Sequence, residues 1–169
     1  MEKPTSPPPV APQTGSRVFI SYRRSDSIDI TGRIYDKLVS RFGAEKIFKD
    51  VDTLELGVSF TDQIHAYLQT CSAGLVIIGP SWTSVALEDG TRRLEHPSDY
   101  VRTEVRELLK LSIPVIPVFV GGREVLDDSD LPEDIRQLAF RHGIKVRPDP
   151  DFHNDTDVIC RTLSRYLVS

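Results

Sequence analysis

Glu104 is the residue whose type and setting most suggest chemistry. It lies in a stretch over residues 98–110 in which Val101, Val105, Leu108 and Leu109 recur at the spacing of one helix face. At about 100° per residue, Glu104 falls between Val101 and Leu108, on the edge of that apolar stripe. Tyr100 stands one turn earlier, so its ring and the carboxyl can face the same space. A carboxyl placed there is partly desolvated, which raises its pKa and suits it to a functional site. The same residue could instead snorkel to solvent or pair with Arg102 or Arg106, and then it has no chemical role.

Other groups could act beside it. Arg23 and Arg24 follow the apolar run Val18-Phe19-Ile20. Two guanidinium forks suit phosphates, because each donates a pair of parallel hydrogen bonds. They equally suit plain solvated charge, and as surface residues they could be replaced with almost no change in stability. Asp50 and Glu55 lie in the acidic loop DVDTLELG over residues 50–57. They could bond sugar hydroxyls or simply shape a turn. Trp82 could stack on a ligand ring, although packing is the commoner use of a tryptophan. The histidines at 65, 96, 142 and 153 lack helical pairing, and Cys71 and Cys160 lack ligand spacing, so no metal site is expected.

These residues need a frame to bring them together. Residues 17–22 and 46–48 read as strands, with a helix between them capped at Ser27 or Asp29 and lined by Ile30, Ile34, Leu38 and Phe42. A second helix starts at Ser59 or Thr61 and runs to about Cys71, followed by a strand over 73–78. The helix over 98–110 ends before Pro114, and the apolar run 115–120 suits a strand covered on both faces. A short helix from Leu131 to about Phe140, an edge strand over 143–146 and a closing helix over 155–168 complete the chain. Strand and helix alternate five times, which implies a parallel sheet with helices on both faces. The flavodoxin-like order 2-1-3-4-5 fits, with ligands beyond the carboxyl ends of strands 1 and 3. Arg23, Arg24, the 50–57 loop, Trp82 and the start of the Glu104 helix all fall there. Residues 1–15, rich in Pro, Ser and Thr, read as a disordered tail or linker, and residues 16–169 as one domain.

Several function classes lack support. A net charge of −4 gives no electrostatic case for nucleic acid or an anionic membrane. No apolar stretch approaches the roughly 20 residues of a transmembrane helix. Two distant cysteines point to a reducing, cytoplasmic setting. There is no G-x-G-x-x-G, no Walker A motif and no G-x-S-x-G elbow. A phosphorelay receiver would need an acidic pair after strand 1 and an aspartate after strand 3, where Tyr22-Arg23-Arg24 and Gly79-Pro80 stand.

Four segments in order carry a resemblance. They are Val18-Phe19-Ile20-Ser21-Tyr22-Arg23-Arg24; Phe48-Lys49-Asp50-Val51 with Leu54-Glu55-Leu56-Gly57; Val76-Ile77-Ile78-Gly79-Pro80-Ser81-Trp82; and Asp99-Tyr100-Val101-Arg102-Thr103-Glu104 followed by Ile113-Pro114-Val115-Ile116-Pro117-Val118. From Arg17 to Val168 the chain resembles a Toll/interleukin receptor (TIR) domain of the bacterial, NAD-cleaving kind. The resemblance implies an NAD glycohydrolase that releases nicotinamide and forms ADP-ribose or a cyclic isomer, in bacterial anti-phage immunity. It implies NAD as substrate and no cofactor. Glu104 matches the catalytic glutamate, and Tyr100 stands where a tryptophan is more usual. Arg23, Arg24, Asp50 and Glu55 match nucleotide-contacting positions. The loop with Leu54, Leu56 and Gly57 resembles one through which subunits complete each other's sites, so self-association is expected. A non-catalytic scaffold acting by homotypic association, or a sensor that binds a nucleotide without cleaving it, would use the same surface.

Overall fold

The computed structural model describes residues 16–49 and 55–167. Strands β1 (Arg17–Ser21), β2 (Ile47–Phe48), β3 (Cys71–Ile78), β4 (Val115–Phe119) and β5 (Ile144–Lys145) form a parallel sheet in the order β2-β1-β3-β4-β5. This is the flavodoxin-like order expected from the alternation. Helices α1 (Arg24–Phe42), α2 (Phe60–Leu68), α3 (Tyr100–Lys110) and α4 (Phe152–Leu163) lie between and after the strands. Among the described residues no helix is long and apolar enough to cross a membrane. The tail expected over residues 1–15 lies outside the described residues, as do Asp50 and Leu54.

Side chains alternate along a strand, and the alternation divides the core in two. Val18 and Ile20 of β1, with Ala73, Leu75 and Ile77 of β3, pack against Ile34 and Leu38 of α1 and Ile159 and Leu163 of α4. Phe19, Val76 and Ile78 pack on the other face with Ile64 and Leu68 of α2 and Val101, Val105 and Leu108 of α3. Ser21 has the parity of Phe19, so its side chain is directed to the α3 face. Gly74 shares that face, and a Cβ there would sit 2.8 Å from Leu108 Cδ2. The missing methyl lets α3 settle directly on β3, close to the end of β1.

Some boundaries differ from the sequence expectation, each for a local reason. Helix α1 begins at Arg24 and bends at Ser27 (φ −148°, ψ 29°). Its first turn is held at the strand ends because the Asp26 side chain bonds backbone beyond β3. Helix α2 stops at Leu68, and Cys71 joins β3 opposite Arg17. The segment Glu133–Phe140 is a 3-10 helix entered from an extended Pro132. Helix α4 starts at Phe152 because that ring is buried in the core. Asp155, where the helix was expected to begin, lies inside it and accepts hydrogen bonds from the Arg147 backbone and guanidinium.

Candidate active site

Asp99 ties the sheet to α3. It is an N-cap residue in extended conformation, and its Oδ2 accepts the Arg102 backbone N–H at 3.1 Å. The same carboxylate receives both arms of the Arg23 guanidinium, at 3.0 and 2.9 Å. Arg23 follows β1 after a single intervening residue, Tyr22, so this fork fixes the start of α3 against the carboxyl end of β1. The two side chains are only 3% and 8% exposed.

One turn further, Glu104 turns into the protein with 5% exposure. The fully buried Ser21 hydroxyl donates to Glu104 Oε2 at 2.6 Å. Burial pushes the Glu104 carboxyl from an ordinary 4.5 up to about 8. The Ser21 hydrogen bond and the Arg23 charge oppose that rise, and the Asp99 carboxylate adds to it. Snorkelling to solvent and pairing with Arg102 or Arg106 are both ruled out by this placement: Arg102 bonds Asp134, and Arg106 bonds Glu107 and Asp134.

Asp26 closes the crevice floor. Its carboxylate accepts the Gly79 N–H at 2.8 Å and the Ser81 N–H at 2.7 Å, joining the first turn of α1 to the exit of β3. A Cβ at Gly79 would lie 2.5 Å from Asp26 Oδ2, so the close approach requires glycine. Asp26→Ala removes two charge-assisted bonds and strands two N–H groups, and is expected to destabilise the fold by about 2 kcal/mol. Urea denaturation checks this: the midpoint should fall with the slope unchanged. An unchanged midpoint would mean that the clamp contributes nothing.

The remaining expected residues fall in three settings. Arg23, expected as a surface group, is buried and held by Asp99, so its replacement is no longer a neutral surface change. Arg24 is exposed at the start of α1. Tyr100 is 59% exposed and stacks against Phe60 at 4.3 Å between ring centres. Glu55 is exposed, and Gln63 bonds its backbone N–H and carbonyl, at 2.5 and 2.9 Å. Leu56 stands almost wholly in solvent beside Gly57, whose φ of 83° suits glycine. Trp82 is fully enclosed in the core on the α2–α3 face. Thus Glu104 and Arg23 come together, Tyr100 sits nearby on α3, and Trp82 is a core residue. Sequence reasoning does not single out Ser21, Asp26 or Asp99 as parts of the site. The parity of Ser21 with Phe19 was a readable signal, whereas the partners of Asp26 depend on tertiary structure.

A family model for the TIR domain matches residues 18–156. The chain belongs to the TIR domain family. This TIR domain is 24% identical over 150 residues to NAD(+) hydrolase sarm1 of Drosophila melanogaster, covering 89% of the chain and 10% of that protein. It therefore spans about a tenth of the length of that relative. Its fold is shared with the TIR domains of the activated Roq1 resistosome that directly recognizes the pathogen effector XopQ. The TM-score is 0.61 at 16% identity, covering 87% of this chain and 98% of that one.

Proposed function

We propose that this TIR domain cleaves the bond between nicotinamide and ribose in NAD, with Glu104 as the catalytic carboxylate. The observation that carries this reading is Glu104 itself: a buried carboxyl, bonded to Ser21 and set beside the Arg23–Asp99 pair at the carboxyl ends of the central strands. The kinship with a relative named as an NAD hydrolase supports the choice of substrate.

The chemistry asks little of the protein beyond charge and placement. The C1′–N bond breaks with its electron pair going to the nicotinamide ring nitrogen, so a cationic ring departs as a neutral molecule and needs no general acid. Positive charge develops on the ribosyl carbon and ring oxygen in an oxocarbenium-like state. An ionised Glu104 stabilises that charge. Water then bonds C1′ and gives its proton to solvent, yielding ADP-ribose; attack by a nucleophile of the substrate's own adenosine part gives a cyclic isomer. Arg23, Arg24, Asp50, Glu55 and Tyr100 are assigned to substrate binding in this reading, and Trp82, enclosed in the core, is not. Among the exposed candidates, Arg24 is assigned to phosphate and Tyr100 to a ring.

Incubating NAD with the pure protein and resolving the products by chromatography tests the reading. Release of nicotinamide with ADP-ribose or a cyclic isomer is expected. Bound but intact NAD would favour a nucleotide sensor, and neither binding nor turnover would favour a self-associating scaffold.

Activity in this reading depends on association. Leu56 at 99% exposure and Val58 at 49% stand in solvent just before Phe60, whose ring stacks on the exposed Tyr100, and such a surface suits a subunit contact. Burying one leucine is worth about 1.5 to 3 kcal/mol, so Leu56→Asp is expected to weaken association roughly tenfold or more. Turnover at fixed protein concentration should fall while the far-UV spectrum stays the same. Full turnover by dilute, monomeric protein would contradict the dependence.

A further inference from the structure

We propose that Ser21 is a positioning residue for Glu104: its hydroxyl, at the end of β1, orients the carboxyl on α3 and favours its ionised form. The inference rests on the reading of Glu104 as the group that acts on NAD.

The geometry is specific. Ser21 is fully buried, on the strand parity otherwise occupied by Phe19. A hydroxyl in that apolar layer is unfavourable unless it is hydrogen-bonded. Its partner is Glu104 Oε2 at 2.6 Å, from an element 83 residues away. A strand end and a helix wall thereby hold the carboxyl through Oε2.

The charged groups acting on Glu104 are Arg23, just past the end of β1, and Asp99, at the start of α3. They act in opposite senses on the carboxyl and are bound to each other in a fork, so their fields largely offset one another. The Ser21 hydroxyl is the neutral group that discriminates between the two forms. A hydrogen bond to the charged form favours that form, against the desolvation that raises the group. Removing it should therefore leave more of the carboxyl protonated at neutral pH.

The test uses Ser21→Ala, Ser21→Cys as a near-isosteric weaker donor, Glu104→Gln and the double variant Ser21→Ala/Glu104→Gln. The first readout is kcat/KM for NAD against pH. The rise that reports loss of the Glu104 proton should move up by about one pH unit in Ser21→Ala, giving about tenfold lower activity near pH 7 that recovers in alkali. Ser21→Cys should move it in the same direction by less. The second readout needs no turnover: the pH dependence of stability. With the folded carboxyl titrating at about 8 and the ordinary value at 4.5, the folded chain holds a proton that the unfolded chain gives up. Stability then falls between those values and levels above the higher one. In Ser21→Ala the fall should continue to about pH 9. In the Glu104→Gln background, Ser21→Ala should have an effect independent of pH. If wild type does not turn over NAD, the functional reading fails while the stability curves still decide the role of Ser21. Unmoved curves, with only a uniform loss of stability, would overturn the proposal.

Discussion

Asp99→Ala is expected to destabilise the domain by about 3 to 5 kcal/mol, because it leaves the Arg23 guanidinium buried without its counter-charge. The side chains are 3% and 8% exposed, so solvent gives little relief. The substitution also removes the N-cap of α3, itself worth about 1 kcal/mol. For a domain of this size the melting temperature should drop by roughly 10 °C. Arg23→Ala should do less harm, since Asp99 keeps the Arg102 N–H as a partner. Arg23→Lys cannot reproduce the two-armed contact and should lie close to Arg23→Ala. Urea denaturation of the three variants gives the ranking, and a change below about 1 kcal/mol for Asp99→Ala would show that the pair is not structural.

This pair marks where the sequence was hard to read. Strand and helix alternate clearly, and the β2-β1-β3-β4-β5 order follows from apolar runs that suit central strands over 73–78 and 115–120. Helix α3 was equally legible, with Val101, Val105 and Leu108 as its buried stripe. Arg23 was not. Two adjacent arginines after a strand look alike in sequence, yet Arg23 is buried and Arg24 is exposed. The difference arises from a partner 76 residues away, which no local pattern reveals.

The same holds for the α1 start and for Trp82. Propensity places the helix cap at Ser27 or Asp29, but the Gly79 and Ser81 N–H groups bond the Asp26 carboxylate and hold an earlier turn in place, with a bend at Ser27. Trp82 follows the strand whose end borders the crevice, yet its ring turns into the core. Glu104 was the most legible site residue, because its place on the helix wheel already lay at the edge of the apolar stripe. What the wheel does not show is Ser21, whose contact requires the register and parity of β1 against α3.

Glu104→Gln is expected to lower kcat for NAD cleavage by a factor of about 10² to 10³, the usual worth of one electrostatic group that acts on the transition state. KM should change much less, since the lost interaction exists chiefly in the transition state. The fold should survive, because glutamine keeps the size of the side chain and can still bond Ser21. It should even gain stability relative to wild type as pH rises. Wild type must ionise a buried carboxyl that titrates at about 8 rather than 4.5, a difference on the order of a few kcal/mol by pH 8. For the same reason kcat/KM of wild type should rise with pH and level off above about 8, as the carboxylate forms. The decisive measurement is the rate of nicotinamide release from NAD by wild type and Glu104→Gln, at pH 8 and at matched concentration and assembly state. A loss of two to three orders of magnitude in a variant that melts no earlier than wild type is the predicted result; equal rates in the two proteins would contradict it.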